Sequence, residues 1–169
     1  MNRRLFMKLL KIYLDTSVIN FLYADDAPEK KEITEEFFEQ FVKTKKYDVY
    51  ISNIVISEIE ATNDLEKRKK LIQVIKKYSI KFVDIQVSDE ITSLAELYIE
   101  HEVIPQTKLI DAYHVAISVI NEMNILLSWN FRHLANINRE TKINVVNLAN
   151  NYTHNIRIVS PLEVLDYEK

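Results

Sequence analysis

Apolar residues along this chain follow two rhythms. Short runs such as KIYL, DVYI, IKFV, ILL and IRIV alternate with longer stretches in which apolar side chains recur every three or four positions. Strands buried on both faces read as near-continuous apolar runs, whereas helices packed on a sheet show one apolar stripe. The alternation therefore predicts an α/β domain built on a parallel sheet. Strands are expected near residues 10–14, 47–52 (YDVYIS), 80–85 (IKFVDI), 125–128 (ILLS) and 156–160 (IRIVS), the last closing the fold before Pro161.

Helices fill the gaps. A short one follows Asp15, capped by Thr16 or Ser17, with Val18, Phe21 and Leu22 on one face. Pro28 opens a longer one that carries Ile33, Phe37, Phe38, Phe41 and Val42 inward. IVISEIEAT follows a cap at Ser52 or Asn53. Asp64 caps the basic amphipathic LEKRKKLIQVIKKY, and Ser88 leads DEITSLAELYIEHEV. Pro105 breaks that segment, and Thr107 is expected to cap LIDAYHVAISVINEM, a nearly all-apolar helix that must be buried. A last helix spans roughly 139–152.

Length and composition narrow the classes. The 169 residues suit one domain with a real core, and Met7 offers an alternative start that sets residues 1–7 apart as an N-terminal extension. No run approaches the ~20 apolar residues of a membrane span. The chain has no cysteine, which fits a reducing cytoplasm and excludes a thiolate zinc site. It also has no glycine, which removes the dinucleotide fingerprint, the Walker A loop and the G-x-S-x-G elbow together. With a net charge of −3, a phosphate-bearing partner must be held by a local patch or by metal ions. The chemistry left over is mainly that of carboxylates.

Three of these carboxylates occupy equivalent places. Asp15 lies just past the end of the first strand, Glu58 within the first turns after the second, and Asp111 one turn into the buried helix before the fourth. In an open parallel sheet, strand C-termini and the N-termini of the helices that follow share the edge where ligands bind. Asn130, past ILLS, joins that edge. Taken singly, Asp15 reads equally as a helix cap, Glu58 as a solvated helix residue and Asn130 as a turn residue. Asp111 has no polar face around it. Taken together, crowded acids repel, and an oxygen-preferring divalent ion, Mg²⁺ or Mn²⁺, relieves them.

IYLDTSVINFL, SEIE, LIDAYHVAIS and LLSWNFRHL, in this order and at these intervals, resemble the PIN-domain ribonucleases, most of all the VapC-type toxins and their stand-alone relatives. The resemblance runs from Lys8 to about Leu165. It implies a three-layer α/β/α fold around a central, mainly parallel sheet of four to five strands. It also implies a metal-dependent endoribonuclease, commonly a homodimer and often silenced by a small antitoxin. Asp15, Glu58 and Asp111 match the family's first three acids. Asn130 falls where many members carry aspartate, and His133 where several place a further acid. Thr16 and Ser17 match the hydroxyl pair and are expected to position a metal water or a phosphate oxygen.

Three acids and a neutral Asn130 lead to one firmly bound ion and a weak second. Asp15 and Asp111 would hold the metal, with Glu58 on the outer side through water or as a proton acceptor. Arg132 and His133 are candidate phosphate contacts, and the basic runs Lys67 to Lys70 and Lys76-Lys77, which also read as a solvated face, a candidate RNA track. His114 and Trp129 read as packing residues. Two other classes compete: a PIN-fold module that binds RNA or protein without cutting, favoured by Asn130, and a phosphoaspartate protein. The latter lacks the second aspartate, since Ser17 stands where a haloacid-type enzyme needs one.

Overall fold

The computed structural model describes residues 9–130 and 137–167. Five parallel strands form one sheet in the order β3-β2-β1-β4-β5. These are β1 (Lys11–Leu14), β2 (Asp48–Ile51), β3 (Lys81–Phe82), β4 (Ile125–Leu127) and β5 (Arg157–Val159). In the central pairs Ile12 sits opposite Val49 on one side and Ile125 on the other. Ile12, Tyr13 and Leu14 are wholly buried, as a central strand covered on both faces requires.

Eight α-helices flank the sheet among the described residues: α1 (Thr16–Phe21), α2 (Pro28–Phe37), α3 (Asn53–Glu60), α4 (Leu65–Lys77), α5 (Asp89–Glu100), α6 (Leu109–Ile120), α7 (Ile137–Ala149) and α8 (Pro161–Tyr167). α5 packs on α6 and α7, while α1 packs on α2, α3 and α4, and α2 on α8. This is the expected three-layer α/β/α arrangement. Among the described residues, no helix is long and apolar enough to cross a membrane.

Several expectations are revised by packing. Asp15 itself caps α1, accepting from Ser17 N at 3.0 Å and Val18 N at 3.4 Å, so Thr16 and Ser17 are its first helical residues. Thr107 does not cap α6: it lies in a 3₁₀ turn (Gln106–Lys108), and the cap position, Lys108, offers no side-chain bond. β3 is two residues long instead of six, because it is a sheet edge whose Lys81 and Phe82 are both exposed. After α2 the chain widens into a π turn (Phe38–Val42), which lets Phe37, Phe38, Phe41 and Val42 all turn inward.

Pro161 opens α8 where the chain was expected to end its regular structure. Ser160 and Glu163 bond each other's backbone there, a reciprocal cap that the Ser-x-x-Glu spacing announces. The absence of glycine shows at helix ends. Lys45, Ser79, Glu102, Glu122 and Asn151 all take positive φ, between 51° and 68°. After α6, for instance, Glu122 turns so that Met123 N can bond Ser118 O at 2.8 Å. A left-handed residue is what that 6→1 closure needs, and here side chains other than hydrogen supply it.

Candidate active site

β1 delivers Asp15 to the carboxyl edge in the middle of the sheet, with Asp15 N bonded to Leu127 O of β4 at 3.1 Å. Its side chain is buried, 4% exposed. One carboxylate oxygen, Oδ1, accepts from the Ser17 hydroxyl at 2.5 Å and from the first backbone amides of α1; the other, Oδ2, accepts from the Ser128 hydroxyl. Among the described residues, no lysine or arginine pairs with it. Burial pushes the Asp15 carboxyl above its usual range, against the charge of His114 and the hydroxyl bonds, which act the other way. A buried acid served only by hydroxyls and amides is short of positive charge.

Glu58 approaches from α3. Its Oε2 accepts from the Thr16 hydroxyl and lies 2.9 Å from His114 Nε2. Burial raises the Glu58 carboxyl, but the bond and charge of His114 and the Thr16 hydroxyl together outweigh it and hold the group below the usual range. Glu58 is therefore the readily ionised acid of the pair. Thr16 and Ser17 divide their work: each hydroxyl serves a different carboxylate. The sequence pointed both toward a metal water or a phosphate; in the fold each engages an acid.

Asp111 lies in the first turn of α6, half-buried, three residues before His114 and so on its face. Asn130 is exposed just past β4, and its backbone amide donates to Ser128 Oγ at 3.0 Å. Arg132 and His133 lie outside the described residues. Asp15, Thr16, Ser17 and Glu58 are thus joined by direct contacts, with Asp111 brought to the same helix face as their partner His114. Among the described residues, however, no group of three or more histidine, aspartate or glutamate side chains is placed to hold a metal ion.

Two participants were not singled out from the sequence, and a third was read as packing. Ser128 looked like the end of a strand, and Tyr13 like core. His114, expected to be packing, is indeed buried, yet both ring nitrogens are engaged, Nδ1 with Tyr13 Oη at 2.8 Å. The spacing of Asp111 and His114 on one helix was the only signal available. Trp129 does pack: its indole N–H donates to Thr34 Oγ1 at 2.8 Å, and its ring lies 5.7 Å from Phe21. Lys30 sits over both rings, 4.8 Å from Phe21 and 5.2 Å from Trp129. The basic run is partly committed elsewhere, Arg68 to Thr62 O and Lys69 to Glu66.

The PIN domain family model matches residues 12–139, more than half the chain and every residue of the site just described. The chain belongs to the PIN domain family. No curated protein matches it. As a PIN domain it carries a fold of the nuclease type.

The donor set fits an oxygen-preferring divalent ion. It offers carboxylates and hydroxyls without thiolates, and Mg²⁺ keeps several waters and needs only one or two carboxylates. The buried, cation-poor Asp15 is the observation that favours such an ion; without a ready-made chelate among the described residues, side chains would have to adjust to hold one.

Proposed function

We propose that the chain is a metal-dependent endoribonuclease that hydrolyses RNA phosphodiester bonds at the edge formed by Asp15, Glu58 and Asp111. The observation that carries this reading is Asp15: a carboxylate buried at the carboxyl end of the central strand, with hydroxyl and amide donors but no basic side-chain partner among the described residues. Asp15 and Asp111 would hold Mg²⁺ or Mn²⁺, one ion firmly and a second weakly, which when bound activates water and offsets phosphate charge. Ser17 and Ser128 fix the Asp15 carboxylate in one orientation. Glu58, held in its ionised form, is a poor store for a proton and a good acceptor for a hydrogen bond, so its role is to orient the attacking water. Asn130 would orient a further water, and Arg132 and His133 would contact the RNA.

The test is incubation of labelled RNA with the protein and Mn²⁺, with and without chelator. Cleavage that disappears with chelator and in Asp111→Asn is expected; cleavage by that variant at the wild-type rate overturns the site assignment. For Asn130→Asp, tighter binding of a second Mn²⁺ by calorimetry is expected. The lack of a preassembled three-acid group among the described residues favours one alternative, a PIN-fold binding module, and tight RNA binding without cleavage would establish it. A small antitoxin partner and a homodimer remain part of the proposal through the VapC-type resemblance. Co-purification with the product of a neighbouring gene tests the first and sedimentation the second.

A further inference from the structure

Behind Glu58 runs a chain of buried hydrogen bonds that crosses three elements. Ser52 Oγ lies 2.7 Å from Tyr13 Oη, Tyr13 Oη lies 2.8 Å from His114 Nδ1, and His114 Nε2 lies 2.9 Å from Glu58 Oε2. Ser52 and Tyr13 are wholly buried and His114 is 4% exposed. An ionised Glu58 only accepts, so His114 must donate from Nε2. Each ring nitrogen of His114 thus has its own partner, Nε2 on Glu58 and Nδ1 on Tyr13, and the Tyr13 hydroxyl bridges His114 to Ser52.

Two observations separate this chain from ordinary core packing. Ser52 stands at the N-cap of α3, where a serine hydroxyl normally bonds the first amides of the helix, yet it makes no cap bond and turns to Tyr13 instead. A local preference has been overridden by a tertiary contact. Then, both bonds to Glu58, from Thr16 and from His114, fall on Oε2, and among the described residues Oε1 receives none. One carboxylate oxygen is anchored and the other left open on a side chain that is 37% exposed.

We propose that Ser52, Tyr13 and His114 form a positioning relay that locks the Glu58 carboxylate with Oε2 anchored and Oε1 presented to the reacting water. The three are positioning residues, since none touches the substrate. The inference rests on the ribonuclease reading for its catalytic consequence, but the orientation of Glu58 can be observed without it.

The experiment pairs RNA-cleavage kinetics with crystal structures of metal-free variants. Tyr13→Phe keeps the ring and removes the hydroxyl. It is expected to lower kcat about 10–100-fold, the range for groups that orient a site from outside it, with KM for RNA unchanged within about twofold. In its structure Glu58 should be turned or spread over two conformers. His114→Gln, whose amide can donate to Glu58, should recover most of the activity that His114→Ala loses. A Tyr13→Phe protein that melts earlier but keeps the wild-type kcat would reduce the chain to packing and overturn the proposal, as would a Glu58 unmoved in His114→Ala. Should Tyr13→Phe not fold, Ser52→Ala at the far end of the chain serves the same test. If the wild-type protein does not cut RNA, the ribonuclease reading falls, while the conformation of Glu58 in the variants still decides the relay.

Discussion

Asp15 and Glu58 stand at one edge of the sheet, and Thr16, the residue after Asp15, bonds Glu58 directly, yet their surroundings drive them in opposite directions. Asp15 is more deeply buried, and its donors are hydroxyls and amides; burial prevails and its carboxyl is pushed up. Glu58 is partly exposed and held by His114 and Thr16; those partners prevail and its carboxyl is pulled down. Same edge, same chemical group, opposite outcome. A carboxylate here is set by the balance between its depth of burial and the bonds and charge of its partners, and the acid for which burial wins is the one best suited to attract a cation.

Replacing Asp15 should break the comparison most severely. Asp15→Asn keeps the shape and the cap, because asparagine and aspartate cap helices about equally. It should lower RNA cleavage by more than about 100-fold, beyond what orienting groups contribute, as read by initial rates with Mn²⁺. It should also stabilise the fold near neutral pH by about 0.5–2 kcal/mol, the usual gain when a functional-site burden is removed. The sign follows from linkage. The native Asp15 pKa lies above the unfolded value, so the native state holds the proton more tightly and stability falls as pH rises through the native pKa. The advantage of Asp15→Asn should therefore shrink as pH falls toward the unfolded value, checked by melting curves across pH.

Glu58→Gln should show the reverse slope. The native Glu58 pKa lies below its unfolded value of 4.5, so its contribution is present above that pH and is lost as pH falls through the depressed native value. Wild type and Glu58→Gln should thus differ in melting temperature above the unfolded pKa and converge in strong acid. Activity should fall less than in Asp15→Asn. Equal slopes for the two variants would erase the distinction drawn between the two acids.

Ser128→Ala sharpens the Asp15 side. It strips the donor from Oδ2 and leaves a buried acceptor unserved, which costs about 1–3 kcal/mol. Urea denaturation near neutral pH would measure it, and a loss well under 1 kcal/mol would mean that water replaces the serine.

The smallest effect lies away from the site and serves as a control. Ser79→Gly, Glu102→Gly and Glu122→Gly relieve left-handed residues with side chains, for which about 1 kcal/mol of stabilisation each is expected. Cleavage rates should not change.

Much of the architecture was legible because burial on two faces and on one face write different rhythms into a chain. β1, β2, β4, β5 and the helices from α2 to α7 can be read that way within a few residues. Helix ends were harder, since a chain without glycine lacks the usual stop signal and closes on Ser79, Glu102, Glu122 and Asn151 instead. α8 was overlooked despite its Ser-x-x-Glu start, because Pro161 was taken to end regular structure when at N1 it begins a helix.

By itself the sequence determined the kind of fold and nominated Asp15, Thr16, Ser17, Glu58, Asp111 and Asn130 as candidates at one shared edge, because strand ends and helix starts follow from local pattern. Only the tertiary structure decided which hydroxyl serves which acid, that Ser128 reaches Asp15 from β4, and that Ser52, Tyr13 and His114 stand in line behind Glu58. Apart from the Ser17–Asp15 bond, those contacts join residues 39 to 113 positions apart. Their partners are chosen by strand order and helix packing, and no short-range periodicity carries that information.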